Sequence, residues 1–155
     1  MRRRGLWIGS ALALFLTTAL VVVWRSHRDA GPVDAVDPRL IATGKAVYDQ
    51  HCASCHGAHL EGQPNWTERK ANGRLPAPPH DESGHTWHHP DDQLFGMVKN
   101  GLTPYAGKDY QSDMPAFAGQ LSDQEIRAVM AFIESTWPPR IQKLRAERLG
   151  RNQKQ

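Results

Sequence analysis

At 155 residues the chain suits one domain of ordinary size plus appendages. Its formal charge of +3 is unevenly spread: residues 38–139 carry eight Lys and Arg against twelve Asp and Glu, whereas residues 140–155 carry six against one. The acidic central part excludes a basic nucleic-acid surface, and two cysteines in all exclude a four-cysteine zinc site.

Arg2, Arg3 and Arg4 precede an uncharged apolar stretch over residues 6–24, and Arg25, His27 and Arg28 follow it. As a helix that stretch spans about 29 Å, enough to cross a bilayer's hydrocarbon core. It is longer than the apolar region of a cleaved signal peptide, and no clean small-x-small site follows. Residues 1–28 therefore read as an uncleaved transmembrane anchor, with a removed signal peptide as the alternative. The arginine excess before the span places the N-terminus in the cytoplasm and the remainder outside. Residues 29–37, small and polar, read as a linker between membrane and domain.

The domain opens at Asp37-Pro38, an N-cap followed by proline at the first helical position. Leu40, Ile41, Gly44, Val47 and Tyr48 then fall at helical spacing. Gly44 costs helix stability, which a close backbone contact with a second helix would explain.

Cys52, Ala53, Ser54, Cys55 and His56 follow directly. Cys-x-x-Cys-His is the attachment motif of c-type haem. Two intervening residues let both thiols reach the porphyrin vinyl groups from a single turn, and the histidine then sits where an imidazole nitrogen can ligate iron. A thioredoxin-like pair would need a βαβ surround that is missing here, and a short disulfide is the competing reading in an oxidising compartment.

Residues 57–89 are rich in turn formers, among them Gly62, Pro64, Asn65, Gly73, Pro76, Pro78 and Pro79. A loop that long needs something to wrap, and a flat apolar disc would serve. His89-Pro90-Asp91-Asp92 reads as a second helix start, with Pro90 at the first position and two acids where the helix dipole favours them. Leu94, Phe95, Met97 and Val98 give that helix an apolar face, and Asn100-Gly101 ends it. Irregular chain is expected from residue 102 to residue 119. Ser122 and Glu125 then form a capping box for a last helix with Ile126, Val129, Met130, Phe132 and Ile133 on one face, stopped by Trp137-Pro138-Pro139. Residues 140–155 form a basic tail; Ile141, Leu144, Arg145, Arg148 and Leu149 permit a short helix for anionic lipid or an acidic partner, against a solvated end.

A second iron ligand is sought among four methionines. Met1 is the start, and Met97 and Met130 lie on helix faces where a core role is commoner. Met114 lies in a loop, precedes Pro115, and comes 58 positions after His56, leaving chain enough to pass round the haem edge.

The order of helix, Cys-x-x-Cys-His, irregular loop, short helix, Met-Pro loop and capped last helix resembles a class I cytochrome c over residues 38–139. The resemblance implies an all-α cytochrome c fold, about three to five helices around one covalent haem c, with the N-terminal transmembrane helix as an addition. It implies that first and last helices cross, with Gly44 and Tyr48 against Phe132 and Ile133. It implies that a loop proline carbonyl, from Pro78 or Pro79, accepts a hydrogen bond from the proximal imidazole of His56. Arg74, Trp66 and Trp87 are candidates for contacts to the haem propionates. The sequence departs from simple members in a distal loop rich in tyrosine and charge, and in the cluster His85, Trp87, His88 and His89, which could bind copper or zinc or replace methionine on iron.

Histidine and methionine ligation leaves no open coordination site and raises the reduction potential, which describes an electron carrier and not an enzyme. The expected function is a membrane-tethered monohaem cytochrome c at the outer face of the cytoplasmic membrane, its haem domain in the periplasm. It would pass single electrons between protein donors and acceptors, membrane respiratory complexes foremost, with no nucleic-acid partner. The alternatives are a haem subunit or sensor with a labile distal ligand, and a His-rich metal-handling protein built on His85, His88 and His89.

Overall fold

The computed structural model describes residues 37–152, and the expected anchor over residues 1–28 lies outside them. The described residues are helical and irregular, without a β-strand. Four helices exceed nine residues: α1 (Pro38–His51), α3 (Asp91–Asn100), α5 (Asp123–Ser135) and α6 (Pro139–Asn152). Two single turns, α2 (Ala53–His56) and α4 (Thr103–Ala106), and a 3-10 turn over Thr86–His88 complete the set. None of these helices is long and apolar enough to cross a membrane.

The helix starts follow from local chemistry. The Asp37 carboxylate accepts from the Arg39 backbone N–H at 2.9 Å, with Pro38 entering the helix behind it. Both halves of the capping box form at α5, Ser122 N–H to Glu125 at 2.8 Å and Glu125 N–H to Ser122 Oγ at 3.3 Å. Pro90 differs from expectation by one place. It is the N-cap of α3 and Asp91 the first helical residue, because the extended ψ of 156° at Pro90 lies outside the helical region. The loop expected over residues 102–119 also contains α4, one turn with a proline near its start.

α1 and α5 cross at Gly44. A Cβ built there would lie 1.9 Å from the Ala128 carbonyl oxygen and 2.8 Å from Phe132 Cβ, so only hydrogen fits. Tyr48, one turn further on, packs its ring against Phe132 at 5.4 Å between centroids. The core continues through Ile126, Val129 and Ile133 of α5 to Trp137. Half-covered against it stand Cys52, Trp87, Leu94, Phe95, Val98 and Met114.

The residues read as a basic tail form α6, which turns Ile141 and Arg145 to the protein and leaves Leu144 exposed. Ile141 is 1 % exposed and Arg145 only 2 %. The Arg145 guanidinium donates to the Trp87 carbonyl at 3.2 Å and the His89 carbonyl at 2.6 Å, pairs with Asp91, and lies 3.6 Å from Glu134. Four oxygens around one cation make its burial tolerable. They also tie α6 to α5, to the start of α3 and to the segment before it.

Candidate functional site

Cys52 closes α1 as its C-cap, and the next four residues make the single turn α2, so motif and helix are one continuous support. The Tyr48 hydroxyl donates to the Gly57 carbonyl at 2.8 Å and ties the end of that turn back to α1. Both cysteines are free thiols, Cys55 exposed and Cys52 half-buried. Burial first, then the nearby Cys55, pushes the Cys52 thiol up to about 11, so it stays protonated at neutral pH.

His56 is buried, with its Nδ1 2.8 Å from the Pro78 carbonyl oxygen. A carbonyl only accepts, so Nδ1 carries the proton and Nε2 presents its lone pair. Burial lowers the pKa of this imidazole while the Pro78 bond partly opposes it, and the neutral, ligating form is favoured. Between the two prolines that the sequence leaves open, the hydrogen bond goes to Pro78; Pro79 is buried beside it.

The loop candidates fall in several places. The Trp87 indole N–H is buried without a hydrogen-bond partner among the described residues, and its ring stacks on His88 at 3.7 Å. Trp66 stacks on His85 at 5.4 Å. Arg74 pairs with Asp113, whose other oxygen takes Lys70 at 2.5 Å. Those two cations, Lys70 foremost, hold the Asp113 carboxyl below the usual range. They tie the loop around residue 74 to the residue next to Met114. Met114 is half-buried against the core, and its backbone N–H donates to Ser112 Oγ at 3.0 Å.

The His85 and His89 rings meet edge-on at 5.5 Å, but His85, His88 and His89 do not gather around one point. His88 meets Arg148 at 3.1 Å, His89 meets Gln93 at 3.2 Å, and His85 faces Trp66. Among the described residues no group of three His, Cys, Asp or Glu side chains could hold a metal ion. A cleft of about 660 Å³ lies between residues 69–73 and 106–111, and it touches none of Cys52, Cys55, His56, Pro78 or Met114.

Sequence reasoning gave His80 no role, and it read Trp137 only as a helix stop and Arg145 only as part of a basic tail. The His80 ring lies flat on His56 at 4.0 Å, and the Trp137 indole N–H donates to the His80 carbonyl at 2.7 Å. No local signal marked them, since their contacts reach across as many as 58 positions.

These residues suit a covalently held haem. Two free thiols sit on one turn before an imidazole with one committed nitrogen, a row of apolar side chains stands half-covered, and one buried indole N–H lacks an acceptor among the described residues. Comparison with known proteins agrees. The sequence profile described as Cytochrome c matches residues 41–137. Cytochrome c-555 of Prosthecochloris aestuarii is 33% identical over 98 residues, covering 60% of this chain and 84% of that protein. The cytochrome bc1 complex cytochrome c subunit of Mycobacterium tuberculosis is 38% identical over 65 residues, 41% of this chain and 23% of the subunit. The cbb3-type cytochrome c oxidase subunit CcoP of an Azospirillum species is 29% identical over 101 residues, 65% of this chain and 30% of that subunit. The chain thus spans most of the first relative and under a third of the two larger subunits. No solved structure matches it to a significant degree. With haem c as its cofactor, the chain belongs to the cytochrome c family, as an electron-transfer haem protein of the monohaem class I type.

Proposed function

We propose that this protein is a membrane-tethered one-electron carrier working at the outer face of the cytoplasmic membrane. Haem c supplies an iron centre that gains and loses one electron. Cys52 and Cys55 would hold it by thioethers, His56 Nε2 would take one face of the iron, and the Met114 thioether the other. The observation that carries the reading is the His56–Pro78 hydrogen bond. It fixes the tautomer that leaves Nε2 free and makes the imidazole a stronger donor.

The protein groups divide the remaining work. Trp87 would direct its spare N–H at a propionate, and Trp66 would stand near the same edge. Arg74 contributes by holding the Met114 loop through Asp113 and is the weakest propionate candidate. Leu94, Phe95 and Val98 would exclude water from one side, which keeps reorganisation small when charge changes. With His56 and Met114 both given to the iron, no position would be left for a substrate, so the protein would pass electrons and transform nothing. Relatives named as subunits of the bc1 complex and the cbb3 oxidase support respiratory complexes as donor and acceptor. The anchor over residues 1–28 would keep the domain near them, where weak docking suffices.

Carbon monoxide tests the closed site. The reduced protein at neutral pH should leave its spectrum unchanged under the gas, and ready uptake would overturn the carrier reading in favour of a sensor. Intact-mass spectrometry of protein purified from membranes should give the full chain plus one haem. A mass lacking the first 28 residues would remove the tether.

A further inference from the structure

We infer that His80 is a positioning residue for His56, holding the plane of the ligating imidazole by lying flat against its face. The inference rests on the reading of His56 as iron ligand and adds a residue to it. The Nδ1 hydrogen bond restrains the ring at one edge and leaves its face without support. Pro78 fixes the edge of the His56 ring, and His80 fixes its face, with centroids 4.0 Å apart and planes inclined by 22°. Together the two contacts restrain the ring at its edge and at its face.

His80 can do this because it is itself held at four points. Its backbone N–H donates to the Leu60 carbonyl at 2.8 Å, and its carbonyl accepts from Trp137 Nε1 at 2.7 Å. Its Nδ1 lies 2.7 Å from Thr86 Oγ1, and the Tyr48 ring meets it edge-on at 6.5 Å. The turn behind it is closed as well: a Cβ on Gly84 would lie 2.0 Å from the Pro79 carbonyl oxygen. An aliphatic side chain would fill the same volume without a flat surface. A partner with locked torsions and its own hydrogen bonds holds a ligand more closely than bulk alone.

The orientation of an axial imidazole is read by the order and spread of the haem methyl proton shifts in the ferric protein. His80→Phe keeps a flat ring and should keep that pattern. His80→Leu should change it while the protein remains low-spin. A lowered Tm in both variants with one unchanged shift pattern would overturn the inference, since that is what mere packing predicts. Should the leucine variant fail to mature, Thr86→Val frees the His80 ring edge. A changed spread would support the inference, and a pattern identical to wild type would overturn it. Failure of the ligand reading looks different: the wild-type protein would then lack the strongly shifted ring protons of a coordinated histidine, overturning both.

Discussion

Gly44 of α1 lies against the backbone of Ala128 in α5 so closely that a methyl group in its place would sit 1.9 Å from the carbonyl oxygen. That contact sets the distance between the two helices that frame the motif. Because the obstacle is backbone and not a flexible side chain, Gly44→Ala must push the helices apart. The expected loss is about 3 kcal/mol or more, seen as a fall in Tm of roughly 10 °C or more. Thermal unfolding of the haem-loaded protein checks it, and an unchanged Tm would show that the crossing gives way easily.

Arg145 stands out among the charged residues because its side chain is 3% exposed. Arg145→Met removes the cation and leaves Asp91, Glu134 and the carbonyls of Trp87 and His89 facing one another. Breaking a fully buried pair costs about 3–5 kcal/mol, and because Asp91 and Glu134 are partly exposed the loss here should be about 3 kcal/mol or less. The loss should depend on pH. Burial already raises the Glu134 pKa, against the pull of Arg145. A carboxyl with a raised folded-state pKa loses stability as pH rises through the carboxylate range and regains it when protonated. The variant should therefore sit closer to wild type at about pH 4 than at about pH 7. Denaturant titrations at both values check this; an equal deficit would place the cost in packing alone.

Ser122 caps α5 through its hydroxyl. Ser122→Ala should cost about 1 kcal/mol and lower Tm by several degrees. In the wild type, hydrogen bonds from the Ser122 backbone and hydroxyl hold the Glu125 pKa down. A depressed carboxyl contributes stability above its ordinary pKa, and that part is lost as pH falls through the folded value. The alanine variant should show a weaker acid dependence than wild type. Parallel stability–pH curves would mean that the Ser122 hydroxyl contributes nothing to the ionisation of Glu125.

The parts legible in the sequence are those settled within a few residues. Asp37-Pro38, the Ser122–Glu125 box and Cys-x-x-Cys-His each declare themselves locally, because capping and attachment depend on spacing along the chain. Gly44 was legible by its cost, a glycine in mid-helix pointing to a neighbour. Pro90 was misplaced by one position because proline serves at either the N-cap or the first turn. Arg145 was unreadable for another reason. A basic residue near the end of a charged segment looks solvated, and only the fold brings Trp87, His89, Asp91 and Glu134 around it. His80 and Trp137 belong to the same class: the bond between them spans 57 positions, and nothing in either neighbourhood announces it.

Met114 carries the claim that both faces of the iron are closed, and oxidised-state optical spectroscopy tests it most directly. The wild-type protein should show the weak long-wavelength sulfur-to-ferric-iron band, and Met114→Ala should lose it and begin to bind carbon monoxide when reduced. A band that survives in Met114→Ala would contradict the account.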